Sequence, residues 1–268
     1  MPVQTPLSWP TVLRKTVIAA AVALPCLAAV ADPLPPFTFN LGAAGLPAGT
    51  ITADNILISD YSAVTLSGST FSEVGLLSVS AFQLGGSTFT PAGLNSTYGM
   101  YIAFTGTGTT TPGDPAATPT FGSFTSLSYT LYGFNGSATF GFSGNTPTET
   151  ASGEVVLATG NLISGGVVTV PAGGGKFTPS ANASLTFTPD AGMAGFFQSP
   201  VPFYNIAETA FTNTTSEVEP FEQGGGFRIR QGGGSINFAS VVPEPGTYAL
   251  LAAGLAVVGF TARRRRRT

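Results

Sequence analysis

The chain has 268 residues, 43% of them hydrophobic and only 9% charged, with a formal net charge of −3 and no histidine. Without histidine, and with Cys26 as its single cysteine, it can form neither a Ser-His-Asp nor a Cys-His catalytic group, nor a typical zinc site, nor an internal disulfide. Basic residues gather at the two ends, so residues 32–242 hold 12 acidic and 3 basic side chains, a balance that repels nucleic acid.

Arg14 and Lys15 precede an apolar stretch from Thr16 to Val30, and Ala29-Val30-Ala31 forms a small-x-small site before Asp32. This predicts a signal helix over residues 1–31, cut by signal peptidase after Ala31. Pro25, directly before Cys26, does not suit a lipobox. The remaining body, residues 32–242, is long enough for one sizeable domain or two small ones.

Within the body, apolar residues alternate with Ser and Thr, the period of a half-buried strand. Strands are predicted at Thr50–Ser59, Ala63–Leu66, Thr70–Leu84, Tyr98–Thr105, Ser126–Tyr132, Glu154–Thr159, Val167–Val170, Ala183–Thr188, Phe203–Thr212, Phe227–Arg230 and Ser235–Phe238. Asn135-Gly136 suits a type I′ turn and predicts a hairpin between Tyr129–Phe134 and Ser137–Phe142. Gly106–Thr120 reads as an exposed loop and Pro171–Lys176 as a break. Many short strands with frequent turns indicate an all-β fold, an antiparallel sandwich or jelly-roll-like body. No internal repeat points to a solenoid or propeller.

Few residues are suited to chemistry. Lys176 follows three glycines and reads as a solvated loop residue. Glu217, Glu219 and Glu222 form the densest acidic cluster; as a carboxylate pair they would serve a glycan hydrolase, and as a solvated strand end they need no function. Asp54, Asn55 and Asp60 offer oxygen ligands for calcium without the spacing of a known loop. Arg228 and Arg230, the body's only arginines, would share one strand face and contact acidic sugars or pair with the nearby glutamates, the pairing being the favoured reading. Tyr98, Tyr101, Tyr129, Tyr132 and Phe134 are candidates for a sugar-stacking platform, although a β-rich core absorbs most such aromatics. The glycine runs 224–226 and 232–234 lack the Gly-Lys-Ser/Thr continuation of a phosphate loop. Asn-x-Ser/Thr sequences begin at Asn95, Asn135, Asn182 and Asn213.

At the C-terminal end come Pro243-Glu244-Pro245, an uncharged run from Gly246 to Ala262, and Arg263, Arg264, Arg265, Arg266 and Arg267. As a helix the run rises roughly 25 Å, a short transmembrane helix whose arginine block stays cytoplasmic. A Pro-Glu-Pro box, a short helix and an arginine cluster in that order resemble the PEP-CTERM sorting signal of Gram-negative exopolysaccharide producers. The resemblance implies transient insertion in the inner membrane and recognition by an exosortase that removes the tail near the box. It divides the chain into a signal peptide (1–31), a secreted β-rich domain (32–242) and a sorting signal (243–268). Thr52-Ala53-Asp54-Asn55, Ile58-Ser59-Asp60-Tyr61, Gly93–Gly99 and Phe227–Gly234 are similar to the flocculation-associated branch of PEP-CTERM proteins. That likeness implies a non-enzymatic surface or matrix protein, without cofactor or metal, that associates with exopolysaccharide or with copies of itself. A carboxylate-dependent glycan hydrolase and a calcium-dependent glycan-binding module are the alternatives.

Overall fold

The computed structural model describes residues 33–193 and 195–239. The predicted signal helix with Ala29 and Ala31, and the predicted box, transmembrane helix and arginine cluster at 243–268, lie outside the described residues. Among the described residues no helix is long and apolar enough to cross a membrane.

The described body is all-β and antiparallel. In chain order it forms β1 (Phe37–Asn40), a 3-10 turn (Leu41–Ala44), β2 (Thr50–Ala53), β3 (Asn55–Ser67), β4 (Thr70–Leu84), β5 (Ser87–Phe89), β6 (Tyr98–Thr110) and β7 (Thr120–Asn135). There follow β8 (Phe140–Ser143), β9 (Thr146–Glu149), β10 (Val155–Gly173), β11 (Lys176–Thr186), β12 (Thr188–Pro189) and a second 3-10 turn (Ala191–Met193). The last strands are β13 (Phe197–Ser199), β14 (Ile206–Thr212), β15 (Val218–Pro220) and β16 (Gly226–Ala239).

Eight of these strands form a ring. The order is β3-β4-β6-β7-β10-β11-β14-β16, and β16 returns to pair with β3. The two layers of the expected sandwich-like body are thus hydrogen-bonded along both sides, giving a closed antiparallel barrel. Closure depends on β10 and β11. Gly166–Thr169 of β10 pair with β7 on one edge and with β11 on the other, and β11 passes its free edge to β14. Eight strands leave an interior that side chains can fill or that can hold one small ligand.

The alternation read from the sequence fixes which side chains enter. Ile102 and Phe104 of β6 and Leu127, Tyr129 and Leu131 of β7 line the interior, whereas Thr105, Thr107, Ser126 and Ser128 face solvent. One end of the barrel is closed by stacked rings. Phe37 and Phe39 of β1, Phe196, Phe197 and Phe238 are buried there, with Phe39 4.9 Å from Phe196 and Phe37 5.0 Å from Phe238 between ring centroids. At the other end lie the β3–β4 turn, the loop of residues 111–119 and the Gly174-Gly175 turn.

Several local expectations change. Phe140–Ser143 does not pair with β7 but turns about Gly144 (φ 61°) to pair with Thr146–Glu149. The Asn135-Gly136 hairpin is therefore absent: Gly136 takes φ 87°, Asn135 does not take positive φ, and its Nδ2 donates to the Gly45 carbonyl at 3.1 Å. The paired positive φ values of a type I′ turn occur instead at Gly85-Gly86 and Gly174-Gly175. The proposed loop at Gly106–Thr120 is shorter, because β6 continues to Thr110. Predicted neighbours also merge: Glu154–Thr159 with Val167–Val170 as β10, and Phe227–Arg230 with Ser235–Phe238 as β16. Conversely, Thr50–Ser59 divides at Asp54, whose Oδ2 accepts the Gly85 N–H at 2.6 Å.

Candidate functional site

Arg228 and Arg230 project from the same side of β16. The short strand β15 pairs with β16 so that Glu219 lies opposite Arg228. One carboxylate oxygen, Glu219 Oε2, takes both guanidinium groups, at 3.1 Å from Arg228 Nη2 and 2.7 Å from Arg230 Nε. Both guanidinium carbons lie over the Phe142 ring, 5.8 and 5.4 Å from its centroid, and Arg228 Nη1 donates to the Gly144 carbonyl at 2.6 Å. The arginines thus bind the β8–β9 hairpin to the barrel wall. Glu217 instead accepts the Thr214 N–H, and Glu222 sits in an exposed turn, so the three glutamates do not converge.

The outer face of β4, β6, β7 and β10 is different. β6, β7 and β10 contain no charged residue, and the one charge on β4, Glu73, lines the interior. Ser72, Thr107 and Ser126 stand in one row, Thr105, Ser128 and Asn161 in the next, and Thr130 and Thr159 in a third. Hydroxyls bond across the strands: Thr107 to Ser126 at 2.7 Å, Thr107 to Thr125 at 3.1 Å and Thr105 to Ser128 at 3.2 Å. β-Branched threonines have few rotamers to lose, so this is a stiff, neutral surface of donors and acceptors about 14 Å wide.

Inside the ring, Asp60 of β3 and Glu73 of β4 face a cavity of about 170 Å³. Removal from water holds Asp60 well above the usual carboxylate range, helped by neighbouring Glu73 and, less, by Glu217. The same loss of hydration pushes Glu73 up to about 7. The Ser62 hydroxyl, near both carboxyls, acts in the opposite direction without reaching full hydrogen-bond geometry. In the sequence Glu73 looks like any charge in an alternating strand, and Asp60 suggests only a calcium ligand. Only the β3–β4 register, with Val64 opposite Glu73 and Leu77 opposite Asp60, reveals that both fall on the inner face.

The calcium candidates separate. Asp54 holds Gly85, Asn55 Nδ2 donates to Gln83 Oε1 at 2.8 Å, and Asp60 lies inside the barrel six residues further along. Among the described residues no group of three or more Asp, Glu, Cys or His side chains is placed to hold a metal ion. Tyr98, Tyr101, Tyr129 and Phe134 are buried, so they form no exposed sugar platform. Tyr101 stacks on Tyr132 at 5.1 Å and donates to Glu154 Oε1 at 2.9 Å. Lys176 is exposed at the β10–β11 turn. Asn95 Nδ2 donates to the Val79 carbonyl, and Asn213 is 3% exposed.

Residues 241–267 match the model of the PEP-CTERM protein-sorting motif. The chain carries a PEP-CTERM sorting signal. The match spans Pro243, Glu244, Pro245 and Arg263 to Arg267, the residues that carry the resemblance. The motif supports export, an exosortase as processing partner, and a cell-surface or extracellular location. No curated protein and no solved structure matches the chain.

Proposed function

We propose that this exported PEP-CTERM protein is a non-enzymatic matrix protein that promotes flocculation by binding exopolysaccharide through the outer face of β4, β6, β7 and β10. The observation that carries this reading is the uncharged, hydroxyl-bridged surface of Ser72, Thr105, Thr107, Ser126, Ser128 and Asn161. Fixed hydroxyls and amides can exchange water for sugar hydroxyls without removing a charge from solvent or ordering long side chains. Such a face accepts neutral polymer, and it can also take a second copy of itself.

The acid pair does not favour hydrolysis of a polymer. Asp60 and Glu73 stand within a cavity of about 170 Å³, below the roughly 300–1,000 Å³ of a usual small-molecule pocket. A chain of linked sugars needs an open groove, and the interior of a closed ring is not one.

The test is a deletion strain complemented with the wild-type gene or with a triple variant, Thr107→Ala, Ser126→Ala and Ser128→Ala. The wild type should restore flocs at unchanged exopolysaccharide yield, and the variant should not. Purified variant should be retained on the polymer at least ten-fold more weakly while melting at the same temperature. Normal flocs in the deletion strain, or equal retention, would remove this function.

A further inference from the structure

Within the barrel, two acids stand in a wall whose other side chains are all uncharged and mostly apolar. Asp60 of β3 and Glu73 of β4 line the hollow beside Ile102, Phe104 and Leu131 of the next two strands, and Ser62, fully buried between Asp60 and Val64, stands next to both acids. Asp60 is 2% exposed, and neither its Oδ1 nor the Ser62 Oγ has a hydrogen-bond partner. No basic side chain answers them. The three among the described residues are Lys176, exposed in a turn, and Arg228 and Arg230, held on Glu219 outside the wall.

Two carboxyls and a hydroxyl with unmet bonding capacity are costly in an apolar hollow unless something pairs with them. We propose that the barrel interior binds a small hydrophobic amine, its ammonium group between Asp60, Ser62 and Glu73 and its apolar body against the remaining wall. An ammonium brings three N–H donors, one for each of these three side chains. It also brings the positive charge that the wall lacks. A neutral alcohol has a single donor and no charge to favour the ionised acids, and a plain hydrocarbon would leave all three groups unbonded.

Size agrees with this chemistry. The hollow of about 170 Å³ is close to the roughly 150 Å³ apolar cavity that admits benzene. Opposite the phenylalanine plug, Gly68, Thr111, Gly113 and Pro115 border the cavity, and this is the end by which the amine would enter. The loop there is fastened to itself around Asp114, whose carbonyl accepts the Ala117 and Thr118 N–H groups and whose Oδ1 accepts that of Ala116. A bound cation favours ionised carboxylates, so uptake near neutral pH should release protons to solvent.

Calorimetric titration of the full-length chain at pH 7 tests this with 2-phenylethylamine and with ethylbenzene, the same frame without nitrogen. The amine should bind at least ten-fold more tightly, and its apparent heat should vary with the ionisation enthalpy of the buffer as protons leave. In Asp60→Asn/Glu73→Gln the amine should lose that advantage while the circular dichroism spectrum stays unchanged. Equal affinity for the two probes, no binding of either, or amine binding without proton release would overturn the proposal. Proton release is read on the wild-type chain, so the test does not depend on the variant folding.

Discussion

At the scale of single residues, the barrel's least tolerant positions are those where an inner side chain crosses a neighbouring strand. Gly160 of β10 lies beneath the Tyr129 ring, whose hydroxyl donates to the Thr186 carbonyl at 3.0 Å. A methyl group at Gly160 would overlap both that carbonyl oxygen and the ring. Gly160→Ala should therefore destabilise the body by about 3 kcal/mol, measured by urea denaturation, since overpacked backbone has no cheap way to yield. Glu73 makes a prediction of opposite character. Its folded carboxyl titrates near 7 against 4.5 for an ordinary glutamate, so the native state holds a proton that the unfolded state has released. The associated stability is complete below about pH 4.5 and is lost as pH rises through about 7. The loss should be on the order of 3 kcal/mol, with Asp60 acting in the same direction. Glu73→Gln should flatten this dependence and exceed the wild type in stability at pH 8. A wild type equally stable at pH 5 and pH 8 would contradict it.

Among the elements, the β8–β9 hairpin rests on the barrel through Phe140, which meets Tyr61 at 5.8 Å and Tyr101 at 5.6 Å, and through the arginines around Phe142. Glu219 is 43% exposed, so its two ion pairs contribute modestly. Glu219→Gln should cost about 1 kcal/mol and make the Gly144 turn a faster site of limited proteolysis. Strand propensity was legible wherever Ser or Thr alternated with large apolar residues, as in β4, recovered from Thr70 to Leu84. Alternation could not join Glu154–Thr159 to Val167–Val170: the residues between them, Gly165 and Gly166 included, stay in β10 because β11 pairs with both glycines and β7 with Gly166. Nor could it place Asn135-Gly136, where a contact with distant Gly45 overrides the local turn preference. The arginine–glutamate pairing was readable because β15 and β16 are close in sequence. Asp60 and Glu73 were not, because their convergence follows from a register between strands and not from a motif.

For the whole molecule, the first ring strand pairs with the last, so the barrel cannot close until nearly all of the body has been made. Contacts of such long sequence separation slow folding. A chain ended at residue 225 would lack β16 and leave β14 and β3 with free edges. Such edges invite pairing between molecules. This truncation should give aggregated protein without a cooperative thermal transition, whereas the full chain should melt in one step. Monomeric truncated protein with a sharp transition would show that the ring is dispensable.

Phe37 and Phe238 meet in the plug, so the described body both receives and surrenders its polypeptide at the same pole. This gives the molecule a direction. β16 ends at Ala239 on the sealed pole, so the polypeptide beyond it departs from there. The loop around Asp114 occupies the antipode, with the hydroxyl face running along the flank between them. A cut beyond residue 239 would take nothing from the ring, the plug or the hydroxyl face, all of which lie within residues 33–239.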